Sequence, residues 1–154
     1  MARPRPHRKT PAAARTPASN TAPSAVLDHE TTGAEVVLDV DVDDDCVHLV
    51  LANCGTAVAT DIRVEFSRPL IGLGGSLDIS ALPVFAHLGV LRPGRTLRVF
   101  WDAAPSLLHS REQAAPFTAT VSWHERSKSH ERASYHHDLS IYRQWPTCVA
   151  RQGI

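Results

Sequence analysis

At 154 residues with a formal net charge of zero, the chain has room for one domain that buries roughly two thirds of its unfolded surface, so a core forms without disulfide or metal staples. Three cysteines, Cys46, Cys54 and Cys148, with no C-x-x-C pair exclude a closed disulfide framework and a zinc ribbon and point to a reducing compartment. The opening is broken by proline and charge where a secretory signal has an apolar stretch, and no later apolar run reaches membrane-spanning length, so the chain is predicted to be cytoplasmic.

The charge is unevenly spread. Arg3, Arg5, Arg8, Lys9 and Arg15 place five of the 16 basic residues ahead of the first acid, Asp28, leaving 11 basic against 16 acidic residues, a balance of −5. Residues 1–33 read as a disordered basic arm rich in Pro and Ala, which cannot bury enough apolar surface to fold. A weaker reading makes these basic residues a contact for nucleic acid or an anionic surface, although the arm has no aromatic on which a base could stack. Residues 34–145 read as one β-sandwich and 146–154 as a C-terminal tail.

From Val36 onward the period is 2. Val36, Leu38, Val40 and Val42 alternate with Val37, Asp39 and Asp41 as a first strand, ended by a turn at Asp43 to Asp45. This acidic run lacks the Gly and distal Glu of a calcium loop and is read as exposed turn carboxylates. Val47, Leu49 and Leu51 form the apolar face of the next strand, and Ile62, Val64 and Phe66 that of the third, with Asp61, Arg63 and Glu65 facing outward. Between them Asn53 and Gly55 are expected to take positive φ angles in a hairpin or sheet-to-sheet corner. Pro69 to Leu88 is a long connection holding a short edge strand or helical turn. Its Gly-rich stretch is not followed by the Gly-Lys-Ser/Thr of a phosphate cradle.

Pro93 and Gly94 occupy the central positions of a predicted type II turn, after which Leu97, Val99 and Trp101 alternate into a further strand. A short helix is placed over Ser106 to Gln113. Phe117, Ala119, Val121 and Trp123 then alternate with Thr118, Thr120, Ser122 and His124, and a last strand runs from Ala133 to about Tyr142. A turn at Ser127 to Ser129 would set Trp123 opposite Tyr135 and Ala119 opposite Leu139, with His137 on the inner parity as a half-buried core residue. The predicted core comprises Leu49, Leu51, Ile62, Val64, Val99, Val121 and Leu139.

Short strands separated by Gly and Pro turns argue for an all-β fold, an immunoglobulin-like antiparallel β-sandwich of about seven strands. With Leu51-x-Asn53-x-Gly55, Ala59, Ile62-x-Val64 and Leu91-x-Pro93-Gly94 in place, residues 35 to 142 resemble bacterial immunoglobulin-like modules of the CARDB and NEW3 kind. The resemblance implies a bacterial module and speaks to fold, since its motifs are turn chemistry. Such modules usually sit outside the cell, fused to enzymes or anchors, whereas this chain is expected to carry neither an export signal nor a fused domain.

Chemistry is sparser. His124, His130, His136 and His137 crowd the last hairpin, and in the expected pairing His124 and His136, with Glu125 or Glu131, form a weak zinc candidate. Ser122, His136 and Asp138 can be drawn as a nucleophilic triad, but an open sheet face offers neither an oxyanion hole nor a pocket. The prediction is a non-catalytic interaction module with no cofactor, binding a protein partner through Arg63, Glu65, Ser122, His124, His136, Asp138 and the aromatic Trp145. A metal-dependent or hydrolytic enzyme built on the histidine-rich hairpin is the first alternative. A small subunit docked through the basic arm is the second.

Overall fold

The computed structural model describes residues 32–126 and 128–144; the basic arm, Trp145 and Cys148 lie outside them. In chain order come β1 (Val36–Asp43), β2 (Cys46–Asn53), β3 (Ala59–Phe66), β4 (Ile71–Gly72), β5 (Leu77–Asp78), α1 (Pro83–Ala86), β6 (Leu88–Leu91), β7 (Thr96–Ala103), α2 (Ala104–His109), β8 (Phe117–Glu125), β9 (Lys128–His137) and a closing 3₁₀ helix, Leu139–Gln144. Two antiparallel sheets, ordered β1-β2-β7 and β6-β3-β8-β9, form a sandwich of seven strands, and β4 and β5 pair as a small separate ribbon. The inner residues of both sheets belong to one buried cluster.

The expected strand parities hold. Val36, Leu38 and Val40 of β1, Val47, Leu49 and Leu51 of β2, Ile62 and Val64 of β3, and Phe117, Ala119, Val121 and Trp123 of β8 are all buried. Val99 is half-buried and packs against the cluster from β7, at the sheet's edge. Truncating Leu51 to Ala is therefore expected to cost about 2–4 kcal/mol, whereas Arg63→Ala, on the exposed side of β3, should stay within about 0.5 kcal/mol. Urea midpoints of the two variants check this; equal losses would contradict it.

The turns follow from local chemistry. Asp44 and Asp45 adopt φ angles of 48° and 61°, the two left-handed residues that a tight hairpin with the strands' own twist requires, and Asp tolerates that region better than most residues. Gly94 has a φ of 71°, and the Arg95 amide donates to the Arg92 carbonyl at 3.1 Å, completing the type II turn.

The corner after β2 carries the chain from one sheet to the other, and its physics differs from the expectation. Neither Asn53 nor Gly55 has a positive φ. Gly55 is needed for space, because a Cβ there would strike the carbonyl oxygen of Gly33 and the amide nitrogen of Glu35. Asn53 is only 1% exposed. Its Oδ1 accepts from the amides of Glu35 (3.2 Å) and Gly55 (3.1 Å), and its Nδ2 donates to the carbonyls of Ala57 (2.8 Å) and Leu91 (2.9 Å).

Two further expectations are corrected. The helix after β7 spans Ala104–His109 rather than Ser106 to Gln113, with Pro105 in its first turn, where a missing amide N–H costs nothing. β9 runs from Lys128 to His137 and sets Ala119 opposite Tyr135 and Trp123 opposite Glu131, a slip of four residues from the expected register. An even slip preserves which face each side chain takes. Leu139 is buried from the 3₁₀ helix and not from a strand.

β1 ends its sheet, yet its outward carbonyls are occupied. The Tyr135 hydroxyl donates to Val36 O (2.9 Å), His137 Nε2 to Leu38 O (3.1 Å) and the Tyr142 hydroxyl to Val40 O (3.4 Å). Side chains from β9 and the 3₁₀ helix thus stand where another strand would pair, one way to blunt an edge. A carbonyl only accepts, so His137 carries its proton on Nε2. Burial lowers the His137 pKa, against the Asp39 carboxylate and the Leu38 bond, which raise it. The unfolded chain takes up this proton near about pH 6.5 and the native chain only at lower pH. The neutral imidazole's contribution is complete above about pH 6.5 and is lost as pH falls toward the folded pKa. Urea midpoints measured from about pH 7 down to about pH 5 are expected to fall less steeply for His137→Gln than for the native sequence; equal slopes would contradict this.

Candidate functional site

Strands β3, β8 and β9 are neighbours, so the outward residues of all three form one surface. Reading across the sheet, Val90 of β6 stands opposite Thr60, and Thr60 opposite His124. The next row is Arg63, Ser122 and Arg132, followed by Glu65, Thr120 and Ser134, and then by Thr118 and His136. Alternation puts most of these side chains outside, because each apolar neighbour in the strand is drawn into the core, while Thr60 and Arg63, three residues apart, share the face through an irregularity in β3 at which Asp61 has a φ of 49°.

Hydroxyls and charges knit the centre of this face. Thr120 Oγ1 and Ser134 Oγ are 3.0 Å apart, and Thr118 Oγ1 lies 3.3 Å from His136 Nδ1. Arg132 reaches Glu65 at 3.3 Å, and His87 lies 3.7 Å from Asp61 at the border. Both pairs are exposed and worth at most about 1 kcal/mol each. Arg63 makes no ion pair among the described residues. The two rings brought together at one end are those of His124 and His130, with centroids 5.0 Å apart, while Val90, 53% exposed, leaves an apolar border on β6.

The structure gathers Arg63, Glu65, Ser122, His124 and His136 on this face but does not assemble the drawn constellations. His136 stands opposite Thr118 and Ser122 opposite Arg132, which sets Ser122 and His136 four positions apart along the strands, roughly 13 Å. His124 and His136 are six positions apart, roughly 20 Å. The slip in register is the cause, since the expected pairing would have placed His136 directly across from Ser122. Asp138 has left the sheet: its Oδ1 accepts from the Ser140 amide at 2.9 Å, and the Ser140 hydroxyl and amide hold its carboxyl below the usual carboxylate range. Trp145 lies outside the described residues. Among the described residues no three His, Cys, Asp or Glu side chains are grouped so as to hold a metal ion, and no helix is long and apolar enough to cross a membrane.

Three features were not read from the sequence. Arg68 donates to the carbonyls of Pro69, Gln113, Ala115 and Pro116, tying the end of β3 to the loop before β8. The carboxylate of Asp102, buried, accepts from the amides of Gly74 and Ala103, fixing the glycine-rich loop against β7. A cleft also opens between α2 and the 3₁₀ helix. Only the Gly-Leu-Gly-Gly run marks any of these places in the sequence, and it reads there as a flexible loop or one crossing between sheets.

No curated protein matches the chain. One family model does match, over residues 13–143, taking in both sheets and the stretch of sequence ahead of them, and by that match the chain belongs to the family described as a domain of unknown function (DUF8453).

Proposed function

We propose that this chain is a non-catalytic, immunoglobulin-like interaction module that binds a protein partner through the outer face of the four-stranded sheet. One observation carries the reading: the adjacency of β3, β8 and β9 puts Arg63, Glu65, Ser122, His124 and His136 on a single continuous surface. Uncommitted Arg63 and the apolar border at Val90 supply the two kinds of contact that interfaces favour, a guanidinium anchor and a desolvated edge. The immunoglobulin-like part is supported by the division into three and four strands, with crossings between the sheets after β2, after β6 and after β7. The separation of Ser122 from His136 and the openness of the face favour binding over catalysis.

A photoreactive amino acid at Ser122, compared with one at Val50 on the other sheet, tests this in cells of the source organism. A protein crosslinked from position 122 alone, displaced by excess unlabelled chain and lost on Arg63→Glu, is the expected result. Equal crosslinking from both positions, or none from 122, would overturn it.

A further inference from the structure

We propose that the cleft between α2 and the closing 3₁₀ helix binds a small molecule that joins an apolar body to a single carboxylate. This site is separate from the sheet face. It has a volume of about 300 Å³, at the small end of the range for ligand pockets. Ala104, Pro105 and Leu108 of α2 line it together with Tyr142. The Tyr142 hydroxyl is held on Val40 O, so the ring is a fixed wall.

The remaining lining is charged and unevenly so. His109, Arg111 and Arg143 contribute from α2, the turn after it and the 3₁₀ helix, and Asp45 contributes from the β1–β2 turn. Arg143 is held in place, its Nε donating to Leu108 O at 2.7 Å and its Nη2 to Ser110 O at 3.4 Å. A guanidinium oriented in advance loses little entropy when an anion arrives. Arg111 has no hydrogen bond or ion pair among the described residues. Two guanidinium groups favour an anion, while Asp45 in the lining and Asp44 beside it in sequence repel a second negative charge. The balance selects a monoanion over a phosphate dianion, and the apolar wall selects an attached hydrocarbon or aryl group.

Benzoate, benzamide and inorganic phosphate, each titrated into the full ¹⁵N-labelled chain, separate charge from shape. Benzoate is expected to produce saturable amide shifts confined to residues 45, 104–111 and 142–143, benzamide weaker ones at the same positions, and phosphate none. Arg111→Gln removes an exposed side chain with no described contact. It should weaken benzoate about fivefold, the scale of one solvent-accessible ion pair, and leave benzamide unchanged. Benzoate shifts elsewhere or absent, benzamide binding as tightly as benzoate, phosphate shifting the same amides, or an Arg111→Gln chain that binds benzoate undiminished would each overturn the proposal.

Discussion

Asn53→Ala is expected to destabilise the chain by about 3–5 kcal/mol, near the upper limit for a single substitution. The magnitude comes from what the amide leaves behind. Four backbone groups, the N–H groups of Glu35 and Gly55 and the carbonyls of Ala57 and Leu91, lose their partner at a position almost closed to water, and each buried unsatisfied group costs about 1–3 kcal/mol before any relaxation. Asn53→Asp separates this account from simple loss of volume. The carboxylate retains the acceptor for Glu35 and Gly55 but turns a donor into an acceptor against Ala57 O and Leu91 O, in a site that desolvates charge. It should be at least as damaging as Ala near neutral pH and partly recover as acid protonates it. Urea unfolding at neutral and acid pH measures both; a loss below about 1 kcal/mol for Asn53→Ala would show that the corner does not depend on this side chain.

Trp101 and Trp123 give the second large effect as a contrast. Trp101 is 0% exposed, its Nε1 donates to Ile71 O at 3.1 Å, and its ring meets Phe117 edge to face at 5.7 Å. Gly72 lies so close that a Cβ there would strike the Trp101 carbonyl and ring. Trp101→Ala should therefore cost about 3–5 kcal/mol through the cavity alone, and Trp101→Phe should still cost the bond to Ile71. Trp123 is 5% exposed, and among the described residues its Nε1 has no partner. Trp123→Phe deletes an unpaired buried donor along with some packing, so the two changes offset and the net cost should be about 1 kcal/mol or less. Thermal unfolding of the three variants gives the ranking directly. A Trp123→Phe loss as large as that of Trp101→Ala would mean that the indole N–H at 123 is satisfied after all.

The sequence by itself determined which way the side chains of the regular apolar runs face. Period 2 is a local property: Val36 to Val42, Val47 to Leu51, Ile62 to Phe66 and Phe117 to Trp123 each carry one apolar side, and burying that side is the largest favourable term available to a short strand. Turn chemistry is equally local, which is why Asp44-Asp45 and Pro93-Gly94 appear where the residues alone place them.

Register and company were decided by the tertiary structure. Alternation fixes parity but not which residue stands opposite which, because any even slip keeps the same faces buried. The slip of four in β8 and β9 is settled by contacts distant in sequence, with Tyr135 and His137 reaching the carbonyls of Val36 and Leu38 on the other sheet. That slip parts His136 from Ser122 and His124, and so dissolves both the drawn triad and the two-histidine metal candidate while leaving the polar face intact. The need for Gly55, the four bonds of Asn53, the clamp of Arg68 and the α2 cleft share one origin. Each depends on backbone atoms or side chains from segments far apart in the chain, whose approach is set by how two sheets close over a common core.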